Sequence, residues 1–229
     1  QLVGQDHAVA LLRAAAAEAP SVRAGQRAQA MTHSWLITGP PGSGRSTAAL
    51  AFAAALVCPQ GGCGTCGECT AVRHSAHVDV EHVVPESVTY AVDETRELVR
   101  RASISPSRAP WHVFVLEDAD RLNPESANTL LKSIEEPTPG TVWILCAPST
   151  EDVLPTIRSR CRHLMLATPT TAEVADALTR ALGVDPAMAS FAARAAQGHI
   201  GRARALATDE SARLRRQARG RKKIAGSPK

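Results

Sequence analysis

Apolar residues fall along this chain in two rhythms. Short runs, apolar throughout or alternating, occur at residues 34–38, 78–84, 112–116, 141–146 and 163–166. Between them lie alanine- and leucine-rich stretches with helical spacing at residues 9–19, 47–57, 92–101 and 123–136, the last stopped by Pro137 and Pro139. A further short helix is expected to start near Thr150. Strands that are apolar throughout are buried on both faces, and strand–helix alternation builds a parallel sheet covered by helices. After Thr168 and Pro169 only helices are predicted, at residues 171–182, 186–196 and 201–207. The pattern therefore predicts an α/β domain over residues 1–167, a small all-α domain over residues 168–208, and a basic linker or tail over residues 209–229.

Composition narrows this. Of 229 residues, 44% are apolar and only 3% aromatic, with 41 alanines, which favours close helical packing over a β-sandwich. The net charge of +4 divides unevenly: residues 1–210 hold 18 Lys+Arg against 22 Asp+Glu, a net of −4, and residues 211–229 hold eight basic and no acidic residues. A uniformly basic, nucleic-acid-coating domain is thereby excluded, and strong DNA binding by the isolated chain is not expected. No apolar run approaches the roughly 20 residues that span a bilayer, so no membrane partner is expected. The first residues carry no signal-peptide pattern and no Met, so the first few residues are expected to be missing. A cytoplasmic location is expected.

Four of the six cysteines, Cys58, Cys63, Cys66 and Cys69, lie within 12 residues, spaced by Gly61, Gly62, Gly64 and Gly67. Four thiolates at this spacing suit a closed tetrahedral Zn²⁺ site, and so short a polar excursion would draw its stability from the metal. An iron–sulfur cluster and a redox or disulfide use are the competing readings. Cys146 and Cys161 read as small buried apolar side chains.

Gly39-Pro40-Pro41-Gly42-Ser43-Gly44-Arg45-Ser46 follows the first strand and opens a helix. It matches the phosphate-binding loop G-x-x-x-x-G-K-[ST] except at Arg45. The glycines allow backbone N–H groups to cradle phosphates, and the helix N-terminus adds its dipole. Arginine is longer, planar and forked where the loop lysine is a compact point charge, so the exchange is not conservative. The chain has 22 Arg and only four Lys, but a site that needs lysine geometry should resist that drift. The strand at residues 112–116 then ends in Glu117-Asp118. P-loop ATPases of this type place Asp first, toward Mg²⁺, and Glu second, toward the attacking water. Here the order is reversed, and each carboxylate has the wrong length by one methylene. The loop is read as a degenerate nucleotide site in which hydrolysis has been lost and ATP or ADP binding is doubtful.

Leu131-Lys132-Ser133-Ile134-Glu135-Glu136-Pro137 after Asp120-Arg121-Leu122, together with Ser159-Arg160-Cys161, Val3-Gly4-Gln5 and residues 198–202, resembles in order and spacing the bacterial DNA polymerase III clamp-loader subunits of the AAA+ family. The resemblance implies a P-loop AAA+ parallel sheet with flanking helices and a zinc-binding insertion at residues 58–69, followed by a small helical lid. Among these subunits, Arg45, the Glu117-Asp118 order and the apolar Ala147-Pro148 at the sensor-1 position resemble the non-hydrolysing delta-prime stator more than the gamma/tau motors. The resemblance further implies that Arg160 is an arginine finger donated in trans, with Arg158 and Arg162 as neighbouring candidates, and that Arg202 is the sensor-2 arginine of the degenerate site. Implied partners are the gamma/tau and delta subunits, the sliding clamp, and primer–template DNA within the complex. The family's third, collar-forming helical domain is expected to be absent from this chain. An active gamma/tau-like motor subunit is the alternative.

Overall fold

The apolar runs become five parallel strands: β1 (Ser34–Thr38), β2 (Val80–Val83), β3 (His112–Leu116), β4 (Thr141–Ala147) and β5 (Arg162–Met165). They form one sheet in the order β2-β3-β4-β1-β5. The structure, a computed structural model, describes residues 2–208; the basic tail predicted over residues 209–229 lies outside the described residues. The helices are α1 (Asp6–Arg23), α2 (Arg45–Val57), α3 (Gly67–Arg73), α4 (Val92–Ala102), α5 (Pro124–Glu135), α6 (Pro155–Arg158), α7 (Thr171–Leu182), α8 (Pro186–Ala196) and α9 (Ile200–Thr208). None of the described helices is long and apolar enough to cross a membrane.

Strands β1, β3 and β4 are buried at every position, as interior strands of a covered parallel sheet must be, whereas the edge strands β2 and β5 are partly open. Alternation sorts their side chains onto two faces. Trp35, Ile37, Val113, Val115, Val142 and Ile144 pack with α1 and α2. Leu36, Phe114, Leu116, Trp143 and Leu145 pack with α4 and α5, where Phe114 stacks on Trp143 at 4.7 Å. Gln5 clips the start of the chain to the end of the sheet: its Nε2 donates to the Ala167 carbonyl (2.7 Å) and its Oε1 accepts from the Ala167 N–H (3.2 Å).

The described residues divide into two compact units, 2–40 with 44–167, and 41–43 with 168–208. The second unit is built on small side chains: Ala189, Ala192, Ala193 and Ala203 are fully buried among Val174, Leu178 and Met188. Thr170 and Glu173 close a reciprocal capping box at the start of α7, and Gly183 ends it at φ +61°. Asp185 caps α8, with Pro186 in its first turn.

Three elements depart from expectation. Helix α1 runs past Pro20 to Arg23, because the proline removes one backbone donor while buried Ala19 and partly buried Val22 hold the last turn on the core. The short helix expected near Thr150 begins only at Pro155. Residues 149–152 are instead a turn in which the Ser149 hydroxyl donates to Asp152 Oδ2 (3.0 Å) and accepts from the Asp152 N–H (3.3 Å). Helix α3 grows out of the cysteine-rich excursion, capped by Cys66.

Asp79, before β2, locks the loop that precedes β3. It is 2% exposed, and its carboxylate accepts from the N–H groups of Ser107 (2.6 Å), Arg108 (2.8 Å) and Ala109 (2.7 Å) and from the Ser107 hydroxyl (3.0 Å). Burial alone would push its carboxyl up, but these hydrogen bonds outweigh it and hold the group below the usual carboxylate range. The resulting stabilisation is complete above the unfolded-state pKa near 3.9 and is lost as pH falls through the lower folded value. Asp79→Ala strands three backbone donors and should cost about 3 kcal/mol in urea unfolding at pH 7.

Candidate functional site

In a parallel sheet the loops after the strands gather on one edge, where ligands bind. Here β1 leads into the loop at residues 39–46, β3 into Glu117-Asp118, and β4 into Pro148 through Thr150. The loop has the backbone of a phosphate cradle: Gly42 and Gly44 adopt φ +86° and +98°, and Gly44 caps α2. Its start is tied to β4 by the Gly39 N–H, shared between the Ala147 and Pro148 carbonyls at 3.3 and 3.2 Å.

Arg45, Glu117 and Asp118 are turned to internal partners. Arg45 Nη1 donates back to the Gly39 carbonyl at the head of its own loop. Ser46 is exposed, and Ser43 is buried with no hydrogen-bond partner for its hydroxyl among the described residues. Glu117 is 8% exposed, and its Oε1 lies 3.1 Å from Nε2 of His82 on β2, while its backbone carbonyl accepts from the Tyr90 hydroxyl at 2.6 Å. Burial first, then the nearby carboxylates of Glu94, Asp118 and Glu117, raise the Tyr90 phenol above its ordinary range and keep it a neutral donor. Asp118 is left-handed at φ +48° and pairs with Arg121 at 3.4 Å. After β4 the side chains are Ala147 and Pro148, and Ser149 is committed to Asp152.

Arg160 lies elsewhere. It sits between α6 and β5, and α5 has already carried the chain back to the edge where strands begin. Ile134 at the end of α5 accepts from the hydroxyl of Ser34, the first residue of β1, at 2.8 Å. The next residue, Glu135, accepts from Arg160 Nε at 2.9 Å, and Arg160 Nη1 donates to the Thr156 carbonyl at 2.8 Å. A five-residue strand is about 17 Å long, so Arg160 and the phosphate loop occupy opposite edges of the sheet. The two adjacent arginines are engaged differently. Arg162 donates to the Gln29 and Ala30 carbonyls (2.7 and 2.8 Å) and lies over the Trp35 ring, and Arg158 reaches the Thr150 carbonyl at 3.4 Å. Arg202 is exposed on α9 in the second unit.

The four clustered cysteines converge. All four sulfurs lie within 4.8 Å of one another, with Cys58 Sγ 3.8 Å from Cys63 and 3.6 Å from Cys66. Four sulfurs at 2.3 Å from a tetrahedral ion stand about 3.8 Å apart, so the donor set could hold a metal ion. A disulfide needs about 2.05 Å, and all six cysteines are free thiols. Backbone N–H groups of Gln60, Cys66 and Cys69 point at the sulfurs of Cys58, Cys63 and Cys66. The N–H groups of Thr65 and Cys66 lower the Cys63 thiol to about 6, whereas burial pushes Cys69 up to about 12. Glu68, between Cys66 and Cys69, ties the module to its surroundings through His77 at 2.9 Å and Arg108 at 2.8 Å. The remaining cysteines are apolar filler: Cys146 is fully buried and Cys161 packs against the second core, and burial raises both thiols.

A sequence profile described as DNA polymerase III, delta subunit, matches residues 19–170, well over half of the chain. The chain belongs to that family. Its relatives include proteins named as gamma/tau and as delta' subunits. It is 34% identical over 168 residues to the DNA polymerase III subunit gamma/tau of Mycobacterium tuberculosis, covering 71% of this chain and 27% of that protein. It is 36% identical over 171 residues to the DNA polymerase III subunit delta' of Pseudomonas aeruginosa, covering 72% of this chain and 52% of that protein. The chain thus spans about a quarter to half the length of these relatives. Among solved structures, a DNA polymerase III gamma subunit-related protein from Thermotoga maritima superposes with TM-score 0.52 at 20% identity, covering 87% of this chain and 62% of that one. The RuvB Holliday junction branch migration motor of the same organism superposes with TM-score 0.59 at 17% identity, covering 90% and 61%. The fold is that of an AAA+ P-loop protein, and the chain is a member of the AAA+ clamp-loader family.

Sequence reasoning named the loop, the strand end, the cysteines and Arg160, but not His82, Tyr90 or Glu135. His82 and Tyr90 carry no local signal, because their partners are 35 and 27 residues away. Glu135 stood inside the quoted motif without an assigned partner.

Proposed function

We propose that this chain is a non-hydrolysing stator of the bacterial DNA polymerase III clamp loader, lending Arg160 to ATP held by a neighbouring gamma/tau subunit. The observation that carries the reading is the position of Arg160, on the sheet edge opposite its own phosphate loop. An arginine there cannot serve its own loop, but it can serve a subunit packed against that edge. A guanidinium is always charged and bridges phosphate oxygens, which suits the charge that develops in phosphoryl transfer. The altered cis site supports the same reading. Arg45 is folded onto Gly39, Glu117 is paired with His82, and Ala147-Pro148 offers no polar side chain toward a γ-phosphate. Residues 168–208 would form the small helical lid domain, with Arg202 as its sensor-2 arginine, and residues 209–229 a basic linker or tail.

In this role the chain would assemble with gamma/tau and delta subunits, help brace an opened sliding clamp, and surround primer–template DNA as part of the complex. The cysteine module would hold a structural Zn²⁺ through Cys58, Cys63, Cys66 and Cys69, the ion neutralising the clustered thiolates and fixing the loop. One equivalent of zinc in a colourless protein is the expected elemental analysis; an iron–sulfur cluster would colour it.

The gamma/tau names among the relatives favour a second reading, an active motor subunit. The isolated chain separates the two. No ATP turnover above background is expected, and micromolar binding of a fluorescent ATP analogue with turnover would establish the motor reading instead.

A further inference from the structure

Glu135 is an unusual residue to find in the last turn of α5. An anion there opposes the negative end of the helix dipole, at a typical cost of about 0.3–1 kcal/mol. Arg160 offsets it: the Nε–Oε2 distance is 2.9 Å, with the two side chains 33% and 56% exposed. The backbones on both sides are fixed, since Ile134 and Ile157 are fully buried in the same core cluster. Glu135 therefore takes Nε, the Thr156 carbonyl takes Nη1, and Nη2 makes no hydrogen bond among the described residues. A long side chain that would otherwise sample many rotamers is held with one nitrogen left open.

We infer that Glu135 is a positioning residue for Arg160, holding the guanidinium so that Nη2 is presented to an anionic phosphate oxygen on a neighbouring subunit. The inference rests on the reading of Arg160 as a trans finger. Orientation of a group that acts mainly in the transition state changes kcat and leaves KM nearly unmoved.

The test uses loaders assembled with this chain, in which only the ATP site next to Arg160 is active. Glu135→Ala should lower kcat about fivefold, the scale of an exposed pair, with KM for ATP unchanged. Glu135→Asp and Glu135→Gln should recover part of the loss. In an Arg160→Ala background, Glu135→Ala should have no further effect, and thermal melting of each variant checks that the chain stays folded. If Glu135→Ala leaves kcat unchanged or raises it while Arg160→Ala lowers it, the positioning role is wrong and the finger stands. If Arg160→Ala itself has no effect, the finger reading fails, and this inference with it.

Discussion

Replacing Arg160 with alanine is expected to lower ATP turnover at the neighbouring site by about 10³-fold, the lower end of what an arginine supplied in trans contributes. The effect should be read in loaders whose other ATP sites are silenced, so that one site accounts for the whole rate. Arg160 is a surface side chain whose ion pair with Glu135 contributes at most about 1 kcal/mol, so the variant should melt close to the parent. Arg162→Ala is the opposing control. That side chain holds the Gln29 and Ala30 carbonyls and covers Trp35, so its loss should destabilise the fold without a specific effect on kcat. Arg160→Lys should not rescue, because an ammonium reproduces the charge but not the fork.

The second large effect concerns the metal proposed at the four clustered cysteines. In zinc-finger peptides structural Zn²⁺ contributes about 10–16 kcal/mol of apparent binding energy at pH 7, most of it spent on folding. Residues 58–69 have little apolar surface apart from Cys58 and Cys69, so chelation or Cys69→Ser should unfold this segment and the start of α3. Amide exchange is the direct measurement: residues 58–73 should lose protection, while β1, β3 and β4 keep theirs. A metal ion held by these sulfurs should also be released as pH falls, because each sulfur must give up a proton to bind. Burial pushes the Cys69 thiol up to about 12, so a cation bound there would favour its ionisation. Cys146→Ser, outside the cluster, should leave metal content untouched.

The sequence was most legible where one element answered to its own residues. The strands at residues 34–38 and 112–116 and the helices at residues 171–182 and 186–196 lie where the apolar runs and their caps place them. Thr170, Gly183 and Asp185 mark helix ends through local hydrogen bonds and one left-handed glycine, all readable within a few residues. The glycine-rich loop and the cysteine spacing were visible for the same reason. What stayed hidden depends on partners that the fold brings from a distance. Nothing near Glu117 announces His82, whose ring arrives from the neighbouring strand. Nothing near Arg160 announces Glu135, because the two stand 25 positions apart with an entire strand between them. The opposite-edge placement of Arg160 is likewise a property of topology, since it requires that β1, β4 and β5 run parallel.

In the proposed role this chain gives an arginine to a neighbour and takes no catalytic part in its own site. Cryo-electron microscopy of the assembled loader with a non-hydrolysable ATP analogue tests it most directly. The Arg160 guanidinium is expected within hydrogen-bond distance of the γ-phosphate of the adjacent subunit's nucleotide, still braced by Glu135. Arg160 facing solvent, with nucleotide and Mg²⁺ instead engaged by this chain's own loop and another subunit's arginine, would contradict it.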